Sequence, residues 1–194
     1  MTYFMQLLNQ KLWDKYDLQF PVDQEKTFLI GENGSGKTHT LLHLKTYFEE
    51  QGESVLYFPD DRFFSLEPEE CYSMLRTSKN LREIVGTEKK FADKYEMNLD
   101  TLFLERNYGT YISSGMLQLV NFYCTIEAAP KKSIVLIDEP ERNIDYIKRR
   151  SLIDTLFNFS NTKKIIVATH CPSIIEGHIN LMIDINQCIL KDNE

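Results

Sequence analysis

Gly31-Glu32-Asn33-Gly34-Ser35-Gly36-Lys37-Thr38 puts a glycine-rich loop directly before an amine and a hydroxyl. The string fits G-x-x-x-x-G-K-[ST], with the apolar run Thr27-Phe-Leu-Ile30 ahead of it and Thr40-Leu-Leu-His-Leu44 behind, so a strand should feed the loop and a helix should leave it. Glycine lets such a backbone fold closely round an anion, with successive N–H groups and a helix N-terminus aimed at it. A nucleotide phosphate is the anion implied. Lys37 should reach its β- and γ-phosphates, the Thr38 hydroxyl should enter the shell of Mg²⁺, and His39 follows at the helix start.

Three further segments carry groups that can work on a phosphate. Ser133-Ile-Val-Leu-Ile-Asp138-Glu139 reads as a buried parallel strand ending in two carboxylates. Ligands of open α/β sheets gather at the carboxyl ends of strands, so Asp138 is placed to hold Mg²⁺ and Glu139 to orient or deprotonate a water. An acidic strand end leading into the Glu139-Pro140-Glu141 turn would look the same. His170 follows the strand Lys164-Ile-Ile-Val-Ala168, where an imidazole can bond a γ-phosphate or sit satisfied in a turn. Ser113-Ser114-Gly115 precedes an apolar-periodic run from Leu117 to Ile126; it reads as a helix N-terminus able to hold an anion, and a plain serine cap explains it equally well.

Taken in order, the four segments resemble the ATP-binding-cassette ATPases, over a span from about Tyr16 to about Ile185. Gly31 to Thr38 looks like Walker A, Ile112 to Met116 like the signature, Ile134 to Glu139 like Walker B, and His170 like the switch histidine. The strings Ser113-Ser-Gly-Met-Leu-Gln118, Asp138-Glu-Pro-Glu141 and Ala168-Thr-His-Cys-Pro-Ser-Ile-Ile175 are similar to those of the OLD-like ATPases, within the non-transporter branch that also holds RecF and SMC. The resemblance implies ATP and Mg²⁺ as ligands, with hydrolysis of the first. It also implies a head-to-tail homo- or heterodimer in which ATP is sandwiched between one subunit's P-loop and the other's Ser113, Ser114 and Gly115. Asp145 stands where the D-loop aspartate is expected. Asp60 stands where the family has the Q-loop glutamine; a carboxylate can approach Mg²⁺, but it cannot donate a hydrogen bond as an amide does. The adenine-stacking aromatic is expected among Trp13, Tyr16 and Phe20, with Tyr16 favoured, although filling the core is the commoner role for any one of these rings.

Composition bounds the rest. With 194 residues and 42% apolar content, the chain has enough for one sizeable core and too little for two, so residues 1–194 read as a single α/β P-loop domain. A mixed sheet flanked by helices is expected. An N-terminal hairpin covers about residues 3–30, a strand ends at Phe58, and a small helical subdomain at about 66–112 ends at the signature. A helix follows near Ile144–Phe159, and closing strands lie near Leu181–Ile185 and Gln187–Leu190. A net charge of −7 argues against a broad nucleic-acid face. Lys79–Lys94 mixes basic and acidic residues, as solvated helix faces do, while leaving direct nucleic-acid contact open. Cysteines 71, 124, 171 and 188 show no metal-ligand spacing, which points to a reduced cytoplasmic setting. No apolar stretch approaches the roughly 18 residues needed to cross a bilayer, so no direct membrane insertion is expected.

About 20 residues follow Cys171-Pro172, which leaves no room for an effector domain on this reading. The expectation is therefore a regulatory ATPase subunit that controls a separate nuclease or nucleic-acid-binding effector, in DNA repair or in defence against phages and plasmids. Two alternatives stand beside it: the nucleotide-binding subunit of a transporter, and a nucleotide-gated scaffold with little turnover.

Overall fold

The protein is seen in a computed structural model that describes residues 7–12, 16–59, 122–142, 146–157, 162–176, 178 and 181–190. Several sequence expectations fall outside those residues: Trp13, Asp60, the helical segment at about 66–112, Ser113, Ser114, Gly115 and Asp145.

The described elements are β1 (Leu7–Leu12), β2 (Tyr16–Pro21), β3 (Lys26–Ile30), α1 (Lys37–Glu50) and β4 (Val55–Phe58), then helical residues 122–128, here α2. After them come β5 (Ser133–Asp138), α3 (Tyr146–Phe157), β6 (Thr162–Thr169), α4 (Pro172–Ile175), β7 (Met182–Asp184), α5 (Ile185–Cys188) and β8 (Ile189–Leu190). Among the described residues they form two sheets. One is antiparallel, in the order β1-β2-β8, and the other is parallel, in the order β4-β5-β6-β3-β7.

The parallel sheet explains the near-continuous apolar runs in the sequence, because helices cover both of its faces. Side chains alternate across a strand, so β5 divides its aliphatics between two cores. Val135 and Ile137 face a cluster with Phe122, Cys124 and Ile126 of α2 and Leu152, Ile153, Leu156 and Phe157 of α3. Ile134 and Leu136 face a second cluster with Leu41, Leu44 and Phe48 of α1, Leu18 and Phe20 of β2, and Ile185. Burying each of these side chains contributes on the order of 2 kcal/mol, which is what fixes the sheet's register.

That register sets the site. Ile30, the last residue of β3, pairs with Thr169, and Asp138, the last of β5, pairs with Ala168. Three parallel strands therefore end within a residue of one another, and their continuations emerge along one edge. The expected P-loop helix and parallel Walker-B-like strand are found; the hairpin expected over about residues 3–30 ends at Pro21, and Lys26–Ile30 pairs instead in the parallel sheet. The closing segment differs from expectation: the strand ends at Asp184, and Ile185–Cys188 is a helical turn where a strand was expected from Gln187. The Asp184 carboxylate accepts the Asn186 N–H at 2.9 Å and caps that turn, while Ile185 and Cys188, three apart, both reach the core.

Candidate nucleotide site

The P-loop lies at the end of β3. Gly36 is the residue before α1 and has φ 101°, a left-handed conformation open to glycine with little strain. At Gly31 the need is for space: a Cβ there would lie 2.4 Å from Ile185 Cγ2 and 2.7 Å from Ser35 Oγ. No side chain caps α1. Its first N–H groups, together with the loop's, form the kind of concave donor array that accepts a phosphate. Lys37 is buried, and its Nζ donates to the carbonyls of Gly31 at 2.9 Å and Glu32 at 3.0 Å.

From β5, Asp138 is buried, and its Oδ2 accepts the Thr38 hydroxyl at 2.6 Å. Two hard oxygen donors thus meet at the foot of the loop. Among the described residues no three His, Cys, Asp or Glu side chains form a metal cage. A pair of donors that leaves the remaining positions to water and phosphate oxygens suits Mg²⁺, which gives up water reluctantly and is usually held in that way. The residues present therefore fit Mg²⁺ bound together with a nucleotide.

Glu139 follows with φ 44°, an uncommon conformation for a side chain of its size. Backbone in that region is held only when its surroundings insist, and here the Glu139 N–H bonds the Ala168 carbonyl at 2.9 Å. The turn aims the carboxylate at an imidazole and two cations. His170 Nδ1 lies 2.8 Å from Oε1, Lys37 Nζ 3.9 Å from Oε1, and Arg142 Nε 3.7 Å from Oε2. The Glu139 side chain is 13% exposed and that of His170 is 45% exposed. A carboxylate so placed can take a proton from a water in the cleft, and the imidazole beside it can hold the carboxylate's orientation or meet a phosphate oxygen.

These groups open onto a cleft of about 790 Å³ lined by Asn33, Thr38, Glu139, Arg142 and His170, and also by Glu141, Arg149, Cys171 and Pro172. Of the expected site residues, the structure brings together Gly31 to Thr38, Asp138, Glu139 and His170. His39 lies on the exposed side of the first turn of α1. Phe20 is fully buried in the core, so that ring is structural; Tyr16 begins β2, where its backbone pairs with Leu12.

Sequence reasoning missed Glu141, Arg149 and Cys171 as cleft residues. Arg149, on α3, donates Nη1 to Cys171 Sγ at 3.3 Å. A single arginine on an amphipathic helix carries no local signal of such a contact, since its partner lies 22 residues further on. Burial pushes the Glu141 carboxyl above its ordinary range, with the Thr169 hydroxyl bond opposing the shift. For an acid with a raised folded pKa, the contribution to stability is fully present below the unfolded value near 4.5 and is lost as pH climbs through the folded value. Glu141→Gln cannot ionise, so its melting temperature should gain on that of the native chain between pH 4 and pH 8; parallel melting curves across that range would refute the burial account.

Comparison with known proteins agrees with this geometry. The family described as "AAA domain, putative AbiEii toxin, Type IV TA system" matches residues 103–176. An uncharacterized ABC transporter ATP-binding protein of Methanocaldococcus jannaschii is 30% identical over 173 residues, which is 82% of this chain and 63% of that protein. Another from Haemophilus influenzae is 28% identical over 174 residues, 84% of this chain and 71% of the relative. The chain thus spans just under two thirds of the length of the first of these relatives. Among solved structures, an ATP-binding subunit of an ABC transporter aligns with TM-score 0.50 at 21% identity, covering 87% of this chain and 78% of that one. CbiO1 of Clostridium perfringens, part of the ABC transporter complex CbiONQ, aligns with TM-score 0.50 at 16% identity over 86% and 77%.

The fold is that of the ABC-type P-loop ATPases. Residues 103–176 are similar to the AAA-domain family, and ABC ATP-binding proteins are among the relatives this chain resembles. Among the described residues no helix is long and apolar enough to cross a membrane.

Proposed function

We propose that this chain binds ATP with Mg²⁺ at the shared edge of β3, β5 and β6 and hydrolyses it to ADP and phosphate. One observation carries the reading: Thr38, bonded to Asp138 at 2.6 Å, lines the same cleft as the Glu139–His170 contact at 2.8 Å. The P-loop amides and Lys37 hold the phosphate chain, Thr38 and Asp138 hold the cation, Glu139 accepts the proton of the attacking water, and His170 steadies Glu139 and the γ-phosphate. Bound Mg²⁺ offsets charge on the phosphate oxygens; the rest is positioning.

On this reading residues 1–194 are one ATPase domain, with about 66–112 as its helical part. It closes head to tail on a second ATP-binding subunit, like or unlike itself. Ser113, Ser114 and Gly115 complete the partner's site, while Asp145, Asp60 and Tyr16 act at the D-loop, the cation and the adenine. The closed state controls a separate cytoplasmic effector, a nuclease or a nucleic-acid-binding protein, in repair or in defence against phages and plasmids. Support comes from the Asp138-Glu-Pro-Glu141 wording and from the toxin–antitoxin description of the family matched at 103–176.

The names of the relatives favour a second reading, a transporter's ATP-binding subunit. One experiment separates the two. Tagged Glu139→Gln protein held in Mg²⁺ and ATP in its own host should recover a soluble effector, and purified native protein should release phosphate from ATP. A membrane permease in the eluate would replace the effector reading, and no phosphate release would end the enzyme reading.

A further inference from the structure

Glu141 takes no part in the chemistry set out above, yet it is only 4% exposed at the edge of a charged cleft. Burying a carboxyl group is costly, so its contacts need a reason. Its Oε1 accepts the Thr169 hydroxyl at 2.5 Å. The Thr169 oxygen in turn accepts the Cys171 N–H at 3.0 Å. These bonds form a directed chain, from the Cys171 amide through the Thr169 hydroxyl to Glu141, and it brackets His170 on both sides. Glu141 Oε1 also stands 3.9 Å from His170 Nδ1, the same nitrogen that meets Glu139 at 2.8 Å. Glu141 Oε2 is buried and has no hydrogen-bond partner among the described residues. The carboxyl group is thus used through one oxygen as an acceptor, and burial favours its neutral form.

The turn after β6 is also tied at Cys171, whose Sγ meets Arg149 Nη1 at 3.3 Å and Ser173 Oγ at 3.0 Å, but these ties lie on the far side of His170 from Thr169. His170 is nearly half exposed, and Pro172 gives no N–H to the turn. We propose that Glu141 is the positioning residue of this site: through Thr169 it fixes the turn that carries His170, and so sets where the imidazole stands against Glu139. The inference rests on the ATPase reading for its kinetic consequence, but its structural half does not. Chemistry in the cleft needs His170 and Glu139 at contact distance, and a shift near 1 Å in such a group can cost up to about a hundredfold in rate.

The test uses five variants of the chain. Glu141→Ala removes the acceptor and should lower kcat for ATP about tenfold while leaving nucleotide affinity within about twofold, because the P-loop is untouched. Glu141→Gln keeps a carbonyl oxygen for Thr169 and should stay within about threefold of native turnover. Thr169→Val should match Glu141→Ala, Thr169→Ser should behave as native, and the double variant Glu141→Ala/Thr169→Val should be no worse than either single change, as expected of two links in one chain. A readout independent of hydrolysis is the NMR signal of the His170 ring without nucleotide: it should move in Glu141→Ala and Thr169→Val and stay in place in Glu141→Gln and Thr169→Ser.

Native-like kcat and an unmoved His170 ring in Glu141→Ala would overturn the proposal. So would Glu141→Gln failing as badly as Glu141→Ala, since the carboxylate's charge and not its acceptor would then matter. A fall in kcat matched by an equal fall in nucleotide affinity would make the role a general structural one. If the native protein hydrolyses no ATP, the ATPase reading fails by itself, and the His170 ring signals still decide the positioning.

Discussion

Glu139→Gln should leave ATP bound with near-native affinity and slow phosphate release by about a hundredfold or more, the range expected when a positioned general base is lost. The substitution is a clean one here for structural reasons. Glu139 holds φ 44° in a turn whose N–H is fixed to Ala168, and glutamine fits that backbone as well as glutamate does. Its amide can also keep the 2.8 Å contact to His170 Nδ1. What is lost is basicity and the negative charge that Lys37 and Arg142 face at 3.9 Å and 3.7 Å. Removing that charge should if anything favour binding of an anionic triphosphate. Single-turnover phosphate release with nucleotide affinity measured in parallel checks this. Equal turnover in both proteins would take Glu139 out of the base's role, and lost binding would mean that it had served the cation site.

How much of this was legible in the sequence follows from where the physical signal sits. The P-loop was readable because its requirements are local: glycine where φ is left-handed at Gly36, no Cβ where Ile185 presses on Gly31, then an amine and a hydroxyl on one helical turn. The strand Ser133–Asp138 was readable because burial on both faces leaves no alternative to an unbroken aliphatic run. The meeting of Thr38 with Asp138, 100 residues apart, was inferred only through the rule that strand ends gather ligands; the parallel register is what realises it. Glu141 and Thr169 were passed over because neither has a pattern of its own. A glutamate after a proline reads as a turn, and a threonine at a strand's end reads as β-propensity. Their pairing exists only once β5 and β6 lie side by side. The helical turn Ile185–Cys188 was missed for the opposite reason: four residues are too few for a periodicity to show, and an Asp cap with two core contacts outweighed local strand preference.

Lys37 carries the other large effect. Lys37→Met should abolish measurable ATP binding, weakening it by about a hundredfold, while the protein melts close to the native temperature. The ammonium also serves the fold: it bridges the carbonyls of Gly31 and Glu32 at 2.9 Å and 3.0 Å and so holds the loop in its curved form. A bound phosphate would offer the same amine charged acceptors, and each such bond contributes about 1.5–3 kcal/mol, so that losing two of them spans a hundredfold change in affinity or more. Methionine preserves the buried stem that packs under the loop, and Glu32 is exposed enough for water to replace the lost donor at its carbonyl. The loss should therefore fall on the ligand and not on the fold. A nucleotide titration alongside melting curves with and without Mg²⁺ and ATP decides the matter. The native chain should gain several degrees on adding nucleotide, because anything that binds only the folded form stabilises it, and Lys37→Met should gain none. If Lys37→Met kept its affinity, the backbone cradle alone would be holding the phosphates. If it melted far below the native chain, the bridge from Lys37 to the loop carbonyls would be chiefly a structural tie.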